Sequence, residues 1–450
     1  MTDRSFTEDH SRRSFIKKSV AATAGLSAGL MASGNFAYAG GSDTIRYGLI
    51  GCGGRGTGAA RDCAKAADGT ELVAMGDLFE DRLDQSREIL QEVIPDSYNV
   101  TEATSFSGFE AYRQVIDSDV DLVLIASPPG FHPMQLRAAI EADKHVFLEK
   151  PAAVDPAGIE SVLASGQMAA EKGLSIVTGT IYRRQPNFVE AVRRIHDGAI
   201  GQLLHSTAYY LTGPIWLRPR KPGMSDMEWQ CRNWYYFDWL SGDHIVEQFV
   251  HNMDVHHWVH QGLPQQALAT GGRQQRVDPS FGHIYDHFSI DFAYSSGARM
   301  HAACRQMENT ETRIANRFVG TEGVADVNPT RSVIKTHDGE VLFDMEKGDV
   351  NPYVSEHEDL IRGIRAGTPI NEAEDLAGST MMAILGRESA YTGQNLSMEA
   401  LRASGLDLLP DTFAFGDMPV PPVPTPGVTT LDRGAPTPGR TATAETQAEG

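Results

Sequence analysis

The stretch "TIRYGLIGCGGRGTGAARDCAKA", residues 44–66, decides the fold. Ile45 to Ile50 is a short run of β type. Gly51, Gly53, Gly54 and Gly56 follow around Cys52 and Arg55, and an alanine-rich helical stretch comes next. A lone G-x-G-x-x-G marks little more than a turn. Between a strand and a helix it acquires a mechanism: the glycines allow a tight turn and let a pyrophosphate approach the helix N-terminus, where unpaired N–H groups favour an anion. A second apolar run, "ELVAMGD", ends in Asp77. An acid there can accept hydrogen bonds from ribose hydroxyls and repels a 2′-phosphate. The expectation is a Rossmann unit with Gly51, Gly53, Gly54, Arg55, Gly56 and Asp77 around NAD, with NADP disfavoured.

The alternation continues outward. "DRLDQSREILQEVI" reads as a helix, "DVDLVLIASPP" as a buried strand, "HPMQLRAAIEADK" as a helix and "HVFLEKP" as a strand. Such alternation predicts a doubly wound parallel sheet, whose ligands lie beyond the carboxyl ends of its strands. Ser127, Pro128, Glu149 and Lys150 all fall at such ends and join the predicted cofactor set.

Taken together, "LIGCGGRG", "VLIASPP" and "HVFLEKP" resemble the glucose–fructose oxidoreductase / inositol dehydrogenase / rhizopine-catabolism (Gfo/Idh/MocA) family over roughly residues 43–410. The resemblance implies an N-terminal Rossmann domain and a C-terminal α/β domain whose large, open, mostly antiparallel sheet carries the substrate. It places Lys150 at the reacting sugar hydroxyl beside the nicotinamide. Chemically, an ammonium there can hydrogen-bond an alkoxide-like oxygen as hydride leaves its carbon. The resemblance also places Tyr182 and Arg183, in "TIYRRQPNF", near sugar or cofactor.

"GDHIVEQFVHNMDVHHWV", residues 242–259, raises a second question. Capping residues at 241–243 and Gly262 predict one helix over 243–260. At 100° per residue His244, Glu247, His251, Asp254 and Trp258 share a stripe. Three roles compete for it: a metal site, a solvated face, or acid–base work. No H-E-x-x-H or H-x-x-E-H string is present and no cysteine lies near, so no metal is assigned. The resemblance matches His251 to a histidine serving the substrate hydroxyl, with Glu247 in place of an aspartate and Asp254 at a further acidic position that meets substrate. Neutral His251 can take the hydroxyl proton, and Glu247, one turn earlier, can orient its ring. The aromatic group Trp229, Trp234, Tyr235, Tyr236 and Trp239 suits either sugar stacking or a core.

The rest of the second half reads as a mixed α/β domain. Hairpin chemistry stands at Ser295-Ser296-Gly297 and Asp338-Gly339, and helices at 354–367 and 377–393. The expected organisation is a Rossmann domain over 43–165, a substrate and oligomerisation domain over 166–410, and a Pro-rich disordered or extended tail, outside any core, over 411–450. Association into a homo-oligomer through the open sheet face is expected. Residues 1–39 carry Arg12-Arg13, an Ala/Gly-rich apolar run and Ala37-Tyr38-Ala39, which resembles a twin-arginine signal. That implies the twin-arginine export machinery as a partner, a periplasmic or otherwise exported location, and no stable membrane span. A formal charge of −20 argues against nucleic acid or anionic membrane as partner.

The expected activity is NAD-dependent hydride transfer at a sugar, polyol or glycoside hydroxyl carbon. Two alternatives stand beside it. One is an NAD-retaining glycoside hydrolase using transient oxidation and elimination; the other is a non-catalytic sugar-binding protein.

Overall fold

The computed structural model describes residues 44–434. The expected signal over 1–39 lies outside the described residues, as do 435–450. The first layer runs β1 (Ile45–Ile50), α1 (Gly54–Ala66), β2 (Thr70–Asp77), α2 (Glu80–Val93), β3 (Ser105–Ser107), α3 (Ala111–Ile116), β4 (Leu122–Ile125), α4 (His132–Glu141), β5 (His145–Leu148), α5 (Pro156–Lys172) and β6 (Ile176–Thr178). All strand pairs are parallel, in the order β3-β2-β1-β4-β5-β6. Every residue of β4 is buried, as a strand covered by helices on both faces requires. The order reverses between β1 and β4, which opens the ligand crevice at their carboxyl ends.

The second layer begins with α6 (Pro186–His196) and β7 (Leu203–Thr212), followed by α7 (Asp226–Arg232), α8 (Asp238–Ser241), α9 (His244–Glu247) and α10 (Val250–His260). Then come β8 (Gln266–Gly272), β9 (His287–Ala293), β10 (Arg299–Gln306), β11 (Arg313–Gly320), β12 (Gly323–Val327), β13 (Arg331–Thr336) and β14 (Val341–Glu346). The described chain closes with α11 (Pro352–Ala366), α12 (Ala373–Thr392), β15 (Leu396–Ser397) and α13 (Met398–Ala403). These strands form a sheet ordered β14-β13-β12-β11-β7-β10-β9-β8-β15, antiparallel except at β10–β7. Gly297 and Gly339, at φ 88° and 97°, turn the two expected hairpins. Burial alternates along β10, so one face of the sheet is turned to the core. α12 packs there and is buried all round from Ser379 to Thr392. Among the described residues no helix is long and apolar enough to cross a membrane.

Three expectations change. The boundary at 165 falls inside α5, and β6 extends the parallel sheet beyond it. Moreover α11 returns to that sheet's core, where Leu360, Ile361 and Ile364 join Leu49, Leu72 and Leu122. Ala59, Ala60 and Cys63 supply small buried side chains on α1, so a second helix can approach closely.

The single helix over 243–260 is in fact two. Phe249 N donates to His244 O at 3.2 Å and His251 N to Gln248 O at 3.3 Å, so the i to i−4 ladder slips at the break. The polar stripe is not solvated either: His244, Glu247 and Asp254 are buried.

Finally, residues 411–434 are extended and mostly exposed, yet they are docked on the core at a few points. Met418 is buried, Tyr285 Oη donates to Pro424 O at 2.8 Å, and Arg433 pairs with buried Glu388. Much of this docking runs through backbone carbonyls, which a proline-rich segment keeps available.

Candidate active site

Each glycine of the loop has its own reason. Gly51 lies at φ 91°, and a Cβ there would meet Ser127 N at 2.5 Å. A Cβ on Gly56 would fall 1.8 Å from Gly51 O, so α1 could not begin where it does. Gly53 and Gly54 instead face open space. No side chain caps α1 and no acid stands in its first turn, which leaves its amides for an anion. Asp77 accepts from Cys52 N at 2.7 Å through one oxygen and from Phe79 N at 2.8 Å through the other. Each oxygen keeps a lone pair for a ribose hydroxyl. Burial pushes its pKa up, against those two bonds. The loop, the bare helix end and Asp77 together fit a dinucleotide.

Arg55 does not stand free in that loop. Its Nε lies 2.6 Å from Glu149 Oε1, and its guanidinium sits 4.7 Å from the Tyr353 ring centre. Ser127 Oγ donates to Gln135 Oε1 at 2.6 Å, and Pro128 opens the turn at Pro129–Phe131.

At the end of β5, Lys150 Nζ donates to both Glu247 Oε1 and Glu247 O, each at 2.6 Å. The carbonyl is available because the helix breaks there. Two of three ammonium donors are thus fixed, leaving one to aim. Glu247 Oε2 is buried without a hydrogen-bond partner. Glu247 therefore holds the lysine and makes no hydrogen bond to His251, contrary to the expected pairing. Tyr182 lies 5.7 Å from the His251 ring and stacks on Phe188 at 4.3 Å. Burial, helped by the charge of Lys150, lowers His251 to a pKa of about 3, so its ring is neutral in the resting site.

A family model described as "Oxidoreductase family, NAD-binding Rossmann fold" matches residues 45–180, and one described as "GFO/IDH/MocA C-terminal domain" matches 188–326. The chain belongs to the GFO/IDH/MocA oxidoreductases. It is 29% identical over 173 residues to a "Glycosyl hydrolase family 109 protein" of Porphyromonas gingivalis, a match covering 38% of this chain and 35% of that one. The chain thus spans about a third of that relative's length. It is 22% identical over 371 residues to "scyllo-inositol 2-dehydrogenase (NAD(+))" of Bacillus subtilis, covering 80% and 98% of the two. Its fold matches scyllo-inositol dehydrogenase from Lactobacillus casei, solved with bound NAD(H) and scyllo-inositol. There the TM-score is 0.60 and the identity 19%, over 79% of this chain and 99% of that one.

In this GFO/IDH/MocA protein the expected substrate residues divide. Tyr182 stands beside His251. Arg183 and Asp254 are spent on each other: Arg183 Nε donates to Asp254 Oδ2 at 2.9 Å and Nη2 to Oδ1 at 2.9 Å. The carboxylate is buried, and the pair ties the 181–184 turn to α10. Of the five aromatics, Trp229, Tyr235, Tyr236 and Trp239 resolve as core, packed with Phe131, Phe237 and Leu240, and Trp234 is half-buried against them.

Sequence reasoning missed His132. Its ring spans the two strand ends of the site, Nδ1 at 2.7 Å from Pro151 O and Nε2 at 2.8 Å from Ser127 O. The available signal was a histidine opening a helix just beyond Ser127-Pro128-Pro129, with two residues between. Tyr210 was also passed over; its Oη donates to Gln248 Oε1 at 2.9 Å, in the helix break.

A pH dependence of stability follows from the buried and half-buried imidazoles. Burial lowers His132 to about 4, His251, His260 and His357 to about 3, and His256 well below its ordinary value. The folded protein refuses protons that the unfolded chain takes up below about pH 6.5. Their contribution is therefore complete above that pH and is lost as pH falls, by about 1.4 kcal/mol per ring per pH unit. Burial raises Asp77, Asp155 and Glu356, which oppose the trend. Five rings outweigh three carboxyls, so the urea midpoint at pH 5 is expected to lie well below that at pH 7. Equal midpoints would show that the rings are protonated in the native state.

Proposed function

We propose that the protein transfers hydride between a carbinol carbon of a sugar or polyol and NAD, with Lys150 and His251 handling the hydroxyl. The observation that carries this is Lys150, held by Glu247 at the carboxyl end of β5 with one N–H left to donate. Bound NAD would supply the hydride acceptor. Lys150 donates to the reacting oxygen and stabilises the charge that grows there, while neutral His251 accepts its proton. Glu247 Oε2, without a partner, suits a neighbouring hydroxyl of a polyol.

NAD rather than NADP is favoured because Asp77 stands where a 2′-phosphate would lie. Asp77→Ser is expected to raise the NADP to NAD ratio of kcat/KM about tenfold or more, a shift of about 1.4 kcal/mol. It should also weaken NAD, because the Cys52 and Phe79 amides lose their acceptor. An unchanged ratio would remove Asp77 from the ribose site.

A second reading is favoured by the glycosyl hydrolase family 109 relative. The same proton-handling pair serves oxidation of a glycoside, elimination, addition of water and re-reduction, with no net change in NAD. Absorbance at 340 nm, followed together with aglycone release on a panel of polyols and glycosides, separates the two. NADH rising in step with oxidised product supports the dehydrogenase; cleavage without NADH supports the hydrolase. Neither signal on the whole panel sinks both. Export through residues 1–39 belongs to this proposal, tested by whether a reporter fused to them leaves the cytoplasm only when Arg12 and Arg13 are intact. Homo-oligomerisation through the open sheet face also belongs to it, and light scattering that returns a monomer would refute it.

A further inference from the structure

We propose that Phe413 and Phe415, in the C-terminal segment, close the adenosine end of the dinucleotide crevice and slow release of the cofactor. The inference rests on the NAD reading and adds residues that neither the glycine motif nor the strand ends indicated.

Position is the first argument. Asp77 marks the adenosine ribose, and Phe79, two residues on, gives its amide to that carboxylate. Gly108 N donates to Asp77 O at 3.0 Å, which brings Phe109 to the same corner beyond β3. These two rings therefore stand on the far side of β1 from Lys150. The Phe415 ring lies 5.9 Å from Phe79, with planes 14° apart, and 5.2 Å from Phe109. Phe413 lies 6.1 Å from Phe109 and 5.4 Å from Phe131, which follows the β4 end. A row of aromatic rings thus borders the carboxyl edge of the sheet where the purine must come.

Exposure is the second. Phe415 is 50% exposed although it stacks on Phe79, so half of an expensive apolar surface faces water beside the crevice. A purine base offers a flat π-face that stacks on such a ring.

The third argument is that the segment is held in place by something other than these rings. Met227 N donates to Gly416 O at 3.1 Å, Met418 N to Asp226 Oδ2 at 3.1 Å, and Gln230 Nε2 to Met418 O at 2.5 Å. Further along, Gly427 N donates to Thr392 O at 2.9 Å, and Arg433 reaches the buried Glu388. The phenylalanines are delivered to the crevice by anchors that survive their removal.

The test uses full-length protein carrying Phe413→Ser and Phe415→Ser, and separately Phe415→Ser alone, whose half-exposed site tolerates the change. Calorimetry with ADP-ribose and with nicotinamide mononucleotide reads the two halves of the cofactor apart, and the thermal midpoint without nucleotide reads the fold. The expected result is ADP-ribose weakened about tenfold or more, nicotinamide mononucleotide unchanged, and the midpoint kept in the single variant. ADP-ribose affinity equal to wild type, or both ligands weakening in step, overturns the proposal. Wild-type protein that binds no ADP-ribose overturns the cofactor reading itself.

Discussion

Lys150→Met is expected to lower kcat by about a thousandfold while NAD stays bound, the loss typical of removing a donor aimed at developing charge. The variant needs a companion. Lys150 and Glu247 side chains are only 12% and 9% exposed, so methionine leaves a buried carboxylate unpaired. Such a loss costs about 3–5 kcal/mol and would mimic inactivation by unfolding. Lys150→Met with Glu247→Gln removes both charges and should recover the thermal midpoint without recovering the rate. If the double variant regained turnover, the lysine would be a structural partner of Glu247 and nothing more. His251→Asn serves as the complementary probe, since it keeps the size near the original and removes the proton acceptor.

The second large effect belongs to the glycine loop, where neighbouring positions should respond differently. Gly56→Ala places a methyl 1.8 Å from Gly51 O, a backbone atom of a residue whose own N–H is tied to Gly76 O at 2.9 Å. The loop must open, at a cost of about 3 kcal/mol or more, and nucleotide binding should disappear with it. Gly53→Ala meets nothing within 4 Å, so the protein should keep its midpoint and lose affinity only because the methyl enters the space left for the pyrophosphate. Melting curves and NAD titrations on the two variants check this. A Gly56→Ala protein with wild-type midpoint would mean that the loop is far softer than its contacts indicate. Gly53→Ala binding NAD as wild type does would move the pyrophosphate elsewhere.

The part of this site that could be read from sequence is the part built from near neighbours. Strand, glycine turn and helix lie within residues 44–66, and Lys150 is marked by its place directly after a strand. The rest depends on partners far apart in the chain. The helix after Gly242 looked continuous because its apolar spacing is good. What occupies the carbonyl at the break is Lys150, 97 residues upstream. Asp254 looked available until Arg183, 71 residues away, took both of its oxygens. The proline-rich segment looked detached because composition reports the lack of an apolar pattern and says nothing of carbonyls that distant side chains can reach. His132 was passed over for a related reason: its two partners are main-chain oxygens, which leave no trace in residue type.

The return of α11 to the nucleotide-binding half bears on how the protein is made. Leu360, Ile361 and Ile364 complete a core whose other members are finished by β6. At common synthesis rates those leucine and isoleucine side chains leave the ribosome on the order of 10–40 s after β6 does. Until then α1 offers Ala59, Ala60 and Cys63 to water. A nucleotide-binding half cut out at β6 would lack these three side chains and is expected to be less stable than the full chain.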